Sequence, residues 1–205
     1  MNKISFYNWM PARSGLTCLI LILLISIFPL SAFSWDGLDY DAGDYIEIND
    51  SDRPSIKPGI LIQLECSEAV IVAGVLHDTF EDTTVRLEQI KEIFGSAVAD
   101  LVEAASEPEK SDKWENRKKH TIEHLKTLPH NAVILALADK LDNIRSIRED
   151  YERVADELWK RFNSPKEQQQ WYYEALVDVF SKRLIGDKCI SLVDCFRIDV
   201  KSVFG

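Results

Sequence analysis

An unbroken apolar run, Ala-Val-Ile-Val-Ala-Gly-Val-Leu at positions 69–76, ends in His77-Asp78-Thr-Phe-Glu81-Asp82. A run with no polar alternation belongs in a buried element, so this one delivers an imidazole and three carboxylates to the mouth of a core. A second run, positions 132–138, ends the same way at Asp139-Lys140. Two buried helices that each carry an acid at the end imply a site assembled between helices. Imidazole and carboxylate together suit Mn²⁺, Fe²⁺, Co²⁺ or Zn²⁺ rather than a thiolate-seeking metal. His77, Asp78 and Asp139 supply three ligands and leave positions for water and substrate. Glu81 and Asp82, one turn further on, are placed to orient or deprotonate that water. An isolated His-Asp is more often a helix cap; the paired runs with their acids argue against that here.

The rest of the chain reads as an all-α domain behind a non-helical start. Residues 1–34 contain only Lys3 and Arg13 as charges, an apolar stretch at 16–30 and Ala32-Phe33-Ser34, the pattern of a secretory signal peptide. An uncleaved membrane anchor is the alternative, and the leader is then the chain's only membrane contact. Residues 35–60 read as an acidic arm and a linker, with seven acids and no base over 35–52 and Pro/Gly punctuation over 53–60. From 61 to 205 the periodicity is helical. Helices are expected over 61–77, broken near Cys66-Ser67, then 85–94 with Gly95 as a C-terminal cap, 97–105, 112–128, from Asn131 through Ile147, 152–162, from Pro165 past Phe180, and 190–203. Asp112 with Glu115 reads as a capping box, and Ser164 as the cap before Pro165 and Glu167.

Removing residues 1–34 takes away two basic groups and no acid, so the formal charge of −10 becomes −12. That excess argues against nucleic acid as a partner, because a phosphate backbone demands a basic surface. Cys66, Cys189 and Cys195 then remain, none in a Cys-x-x-Cys pattern, which disfavours a zinc knuckle. Cys189 and Cys195 either pair in an oxidising compartment or stay free, and Cys66 reads as a core thiol. Trp159, Trp171, Tyr172 and Tyr173 fall at helical spacing and read as core rather than as a base-stacking platform. Arg117-Lys118-Lys119 reads as a solvated face with a phosphate-facing role as the alternative. His120 and His124, one turn apart, read as surface or supporting residues with a metal role as the alternative, and His130 as a helix cap.

The segments Leu76-His77-Asp78-Thr79-Phe80-Glu81-Asp82-Thr83 and Leu137-Ala138-Asp139-Lys140-Leu141-Asp142-Asn143 resemble the two signatures of HD-domain phosphohydrolases. More narrowly they are similar to the RelA/SpoT-type branch and its small stand-alone members, over about residues 61–184. The resemblance implies an HD-domain helical bundle. It also implies one divalent metal, Mn²⁺ for choice, on His77, Asp78 and Asp139, with Glu81 and Asp82 catalytic and Lys140, Asn143 and Ser146 touching substrate. The implied substrate is a small phosphorylated nucleotide, with guanosine tetra- or pentaphosphate losing pyrophosphate from its 3′ position. The family's first metal-binding His, in a His-Pro about 24 residues upstream, has no counterpart; the count lands on Arg53-Pro54, and Asp142 replaces another common His. Guanidinium offers no lone pair to a metal. A scaffold without catalysis is therefore the alternative function. Residues 35–40, Trp-Asp-Gly-Leu-Asp-Tyr, resemble the start of small secreted bacterial proteins. The leader implies a periplasmic or secreted protein, whereas the resemblance implies a cytoplasmic one if the leader is not used.

Overall fold

The structure is a computed structural model that describes residues 57–106 and 112–205. The leader, the acidic arm and Arg53 lie outside the described residues. Within them are eight α-helices and no strand: α1 Lys57–Gln63, α2 Glu68–Asp82, α3 Leu87–Phe94, α4 Ser96–Ala105, α5 Trp114–Leu125, α6 His130–Val154, α7 Lys166–Arg183 and α8 Asp187–Phe204. A 3₁₀ segment, Ala155–Arg161, joins α6 to α7. The all-α expectation holds.

Helix α6 is the axis of the bundle, in contact with α1, α2, α4, α7 and α8. Its sequence explains why. Ala132, Val133, Leu135, Leu137 and Ala138 are all fully buried, so most of its first half is enclosed. Leu141, Ile144 and Ile147 then continue at three-residue spacing along one face. Each such buried side chain contributes roughly 1.5–3 kcal/mol relative to exposure. The second half is also tied electrostatically: the buried carboxylate of Asp199 on α8 accepts from Arg145 Nε at 3.0 Å and from Arg148. Arg183 on α7 donates to the carbonyls of Leu125 at 2.8 Å, Lys126 and Leu128 at 2.5 Å, satisfying the open C-terminus of α5.

Several boundaries differ from the sequence expectation for identifiable reasons. Residues 57–60 are helix rather than linker, because a proline in the first turn forfeits only an N–H that has no helical partner there. The expected break near Cys66 is present, with Glu65 at φ 56°. Helix α2 continues past His77 to Asp82, so His77-Asp78 lie within a helix. Helix α6 runs to Val154, through residues expected to open the next helix, and stops where Ala155 takes φ 48°. His130 is its first residue, with Pro129 as the cap. Neither expected capping box forms. Asp112 accepts from the Lys113 N–H at 2.6 Å and from Asn116 Nδ2 at 3.0 Å. Ser164 Oγ accepts from Gln169 Nε2 at 2.7 Å, and Pro165 is the cap. Gly95 does end α3, at φ 87°.

Among the described residues the three cysteines, Cys66, Cys189 and Cys195, are free. Cys189 and Cys195 both lie on α8 six positions apart, hence about 9 Å along the axis, beyond the reach of a disulfide. It is Cys66 that comes near Cys189: burial first, and then the neighbouring thiol, push the Cys66 pKa up. Among the described residues no helix is long and apolar enough to cross a membrane.

Helices α1, α2 and α6 meet closely at Gly74, where an added Cβ would lie 2.6 Å from Leu61 Cδ1 and 3.2 Å from Leu135 Cδ1, both leucines being fully buried. A branched side chain there must displace the buried Leu61 side chain. Gly74→Val should therefore destabilise the fold by about 1–3 kcal/mol, read as a lower denaturant midpoint with an unchanged slope.

Candidate active site

Helix packing brings the two sequence motifs together. Helix α2 carries His77, Asp78 and Glu81 on consecutive turns, and α6 presents Asp139 and Lys140 one step from its enclosed half. His77 Nε2 lies 2.8 Å from Asp78 Oδ1 and 3.4 Å from Asp139 Oδ1. One donor atom from each of His77, Asp78 and Asp139 falls within 4.8 Å of the others, the spacing of a set able to hold a metal ion. The other ring nitrogen, Nδ1, lies 3.4 Å from the carbonyl of Gly74. Donation from Nδ1–H to that carbonyl leaves Nε2 as the nitrogen turned to the carboxylates, where a metal ion would take the place of its proton. The donor set therefore fits a divalent cation.

The site also contains a group that the sequence did not flag. Lys57, at the start of α1, is 5% exposed and bridges the two carboxylates: its Nζ donates to Asp78 Oδ2 and, at 3.1 Å, to Asp139 Oδ1. On the far side, Lys140 Nζ lies 2.9 Å from Asp139 Oδ2. Counting 24 residues back from His77 pointed to Arg53; the Xaa-Pro that the structure sets beside the site is Lys57-Pro58, twenty residues back. The turn between α1 and α2 is only residues 64–67, which shortens the count. The Lys-Pro dipeptide was the available signal.

Burial opposes every charge in this cluster, and mutual attraction overcomes it. Asp139 is held well below the ordinary carboxylate range, against burial, by Lys140, Lys57 and His77. Lys140 is raised well above the ordinary amine range, against burial, chiefly by Asp139. Burial would lower the His77 pKa from 6.5, yet Asp78 and Asp139 push it up to about 9.

These residues open on a cleft that α4, α5, α6 and α7 complete. Glu81, Lys118, His120, His124, Asn143 and Tyr172 face it. Lys118 overturns the solvated-face reading of 117–119: it is buried, with Nζ 5.4 Å from the Tyr172 ring centroid, whereas Lys119 is exposed and pairs with Glu115 at 2.5 Å. A cation in a basic run carries no mark of burial; only the packing of α5 on α7 gives it one. His120 and His124 stack at 5.8 Å on the cleft wall, outside the three-residue donor set. Ser146, expected at substrate, is not on that wall; its hydroxyl donates to the Asp142 carbonyl at 3.0 Å. Asp142 is buried, and Asp82 is the last residue of α2. Tyr172 and Tyr173 are core, as expected, whereas Trp171 is 38% exposed against the edge of Trp114.

Comparison with known proteins agrees with this geometry. The family described as HD domain matches residues 58–167. The guanosine-3′,5′-bis(diphosphate) 3′-pyrophosphohydrolase MESH1 of Danio rerio is 38% identical over 90 residues, 44% of this chain and 47% of that protein. Its Xenopus tropicalis counterpart is 36% identical over 108 residues, 53% of this chain and 57% of that one. The chain thus spans about half the length of these relatives. Among solved structures, lmo0812 from Listeria monocytogenes EGD-e superposes with a TM-score of 0.65 at 34% identity, covering 72% of this chain and 90% of that one. A metazoan ortholog of SpoT described as hydrolysing ppGpp superposes at 0.60 and 22% identity, over 92% and 98% of the two chains, a likeness of fold.

The raised His77 pKa makes stability depend on pH in a definite direction. The native state holds this proton more tightly than the unfolded chain, so the contribution is complete below pH 6.5 and is lost as pH rises through about 9. In chelator, the metal-free protein should lose up to about 3 kcal/mol between pH 6 and 10 relative to His77→Gln. Urea unfolding of both proteins across that range measures it.

Proposed function

The chain belongs to the HD-domain family, and we propose that it is a metal-dependent phosphohydrolase acting on a phosphorylated nucleotide, with the 3′-diphosphate of a guanosine alarmone as the group removed. The observation that carries this reading is a convergence in one cleft. The His77, Asp78 and Asp139 donors meet Glu81 and the ammonium groups of Lys118 and Lys140 there. A divalent cation held by the three donors, Mn²⁺ being well suited to them, supplies Lewis acidity and a more acidic bound water.

The chain's own residues account for the rest. Glu81 lies one turn beyond His77 on the same face of α2, placed to orient an attacking water and accept its proton, and Asp82 follows it in the chain as a second acid. The chain is acidic overall and repels a polyphosphate at long range. Lys118 and Lys140 reverse that locally, inside the cleft, where an ammonium attracts phosphate more strongly than at the surface. Asn143 projects onto the same wall and offers an amide to sugar or phosphate, and Tyr172 backs the Lys118 ammonium there. The relatives named for guanosine-3′,5′-bis(diphosphate) 3′-pyrophosphohydrolase activity support the choice of substrate. The signal-peptide reading of residues 1–34 carries forward as the proposal that the protein acts outside the cytoplasm, on nucleotide met there.

A second reading, an HD scaffold that binds nucleotide without turning it over, is favoured by the Lys57 ammonium between the two carboxylates. One experiment separates the two. Full-length protein with Mn²⁺ is assayed for phosphate and pyrophosphate release across a panel of phosphorylated nucleotides, alongside equilibrium binding. Glu81→Gln and Asp139→Asn should each lower turnover by at least about 100-fold. Release that survives His77→Ala contradicts the mechanism, and tight binding with no release by the wild type decides for the scaffold.

A further inference from the structure

We propose that Lys57 is the resident cation of the His77, Asp78 and Asp139 site, an internal ammonium that competes with a divalent metal for the two carboxylates. The inference rests on the reading of those three side chains as the metal set.

Its basis is geometry and charge balance. Lys57 Nζ donates to Asp78 Oδ2 and, at 3.1 Å, to Asp139 Oδ1, and Asp139 Oδ1 is the same oxygen that lies 3.4 Å from His77 Nε2. An ion bound by both carboxylates would share these oxygens with the ammonium. Asp78 and Asp139 bring two negative charges; Lys57 and Lys140 bring two positive ones. The two carboxylates are already compensated before any ion arrives, and the His77 imidazole faces them as well. A divalent ion entering it meets an ammonium within a few ångströms in a poorly screened setting, so it must either drive Lys57 out or bind weakly.

Lys57 is not a surface side chain that has strayed inward. It is 5% exposed, and it stands at the start of α1, a helix packed on both α2 and α6, which carry the carboxylates. Leu61, one turn along α1, is fully buried against Gly74 of α2 and near Leu135 of α6. The helix is thereby pinned with its first residue at the site. Losing the ammonium leaves two carboxylates facing each other with one fewer partner, and that is what a metal would then satisfy.

The functional consequence is a site whose metal occupancy is set by competition rather than by donor count alone. At low divalent-ion concentration the ammonium holds the carboxylates together and preserves the cleft. At high concentration the ion displaces it, and the freed Lys57 amine enters a cleft that Lys118 and Lys140 already make attractive to phosphate.

Mn²⁺ binding to the full-length protein, followed by loss of the free-ion electron paramagnetic resonance signal, tests the competition. Lys57→Met should bind one Mn²⁺ about 10- to 100-fold more tightly than wild type, and adding Asp139→Asn should abolish the gain. In chelator Lys57→Met should melt at a lower temperature than wild type, and Mn²⁺ should restore it. Equal Mn²⁺ affinity in wild type and Lys57→Met overturns the competition while leaving the metal site intact. Binding in neither protein overturns the metal reading of the site and the competition with it. If Lys57→Met does not fold, wild type alone still decides. Reductive methylation read by mass spectrometry should find Lys57 protected in chelator and modified under saturating Mn²⁺, and labelling that ignores Mn²⁺ overturns the proposal.

Discussion

A carboxylate in the middle of an otherwise apolar helix has to be neutralised where it stands. Asp139 follows directly on the enclosed half of α6, 9% exposed, with Ala138 and Leu137 fully buried behind it. Water cannot solvate it fully there, and an unpaired buried charge is costly enough to unfold a domain of ordinary stability. The neighbouring helices answer it: α1 with Lys57, α2 with His77 and α6 itself with Lys140. The helices that form the site are therefore also held to one another through it.

That coupling links scaffold and chemistry. The contact between α1 and α2 at Gly74 is set by leucines, but its consequence is electrostatic, because it decides where the ammonium at the start of α1 arrives. Likewise α5 packs on α7 through its apolar face, Ile122 and Leu125 being buried, and this turns Lys118 into the cleft against Tyr172. Arg183 then fastens the end of α5 in place. Apolar packing does the positioning, and the charged groups are carried by it into a region where their interactions are strong. A cleft built this way suits an anionic ligand despite an acidic chain.

Much of this was legible in the residues, and unevenly so. The pairing of His77-Asp78 with Asp139 could be read because each follows an apolar run, and apolar runs report burial. The all-α class and most helices followed from periodicity. The N-terminal capping boxes did not: the Asp112 and Ser164 side chains both find other partners, Asn116 and Gln169, and a cap motif cannot show which partner wins. Whether Cys189 and Cys195 pair stayed open in the residues; both lie on one rigid helix, a fact of helix continuity rather than of spacing, and that rules the pair out. Lys118 was read with its neighbours as a solvated face first and phosphate-facing second, because a basic run looks the same whether it faces solvent or a cleft.

The sequence by itself determined which groups of the core would be charged and which helices would carry them, because hydrophobic periodicity is a local property of the chain. Only the tertiary structure decided what those charges would face. Arg53 was the position that counting selected, yet the residue between Asp78 and Asp139 is Lys57. The reason is physical: a short turn and a close contact at Gly74 set the register of α1 on α2, and that register is a long-range packing outcome that no count along the chain contains.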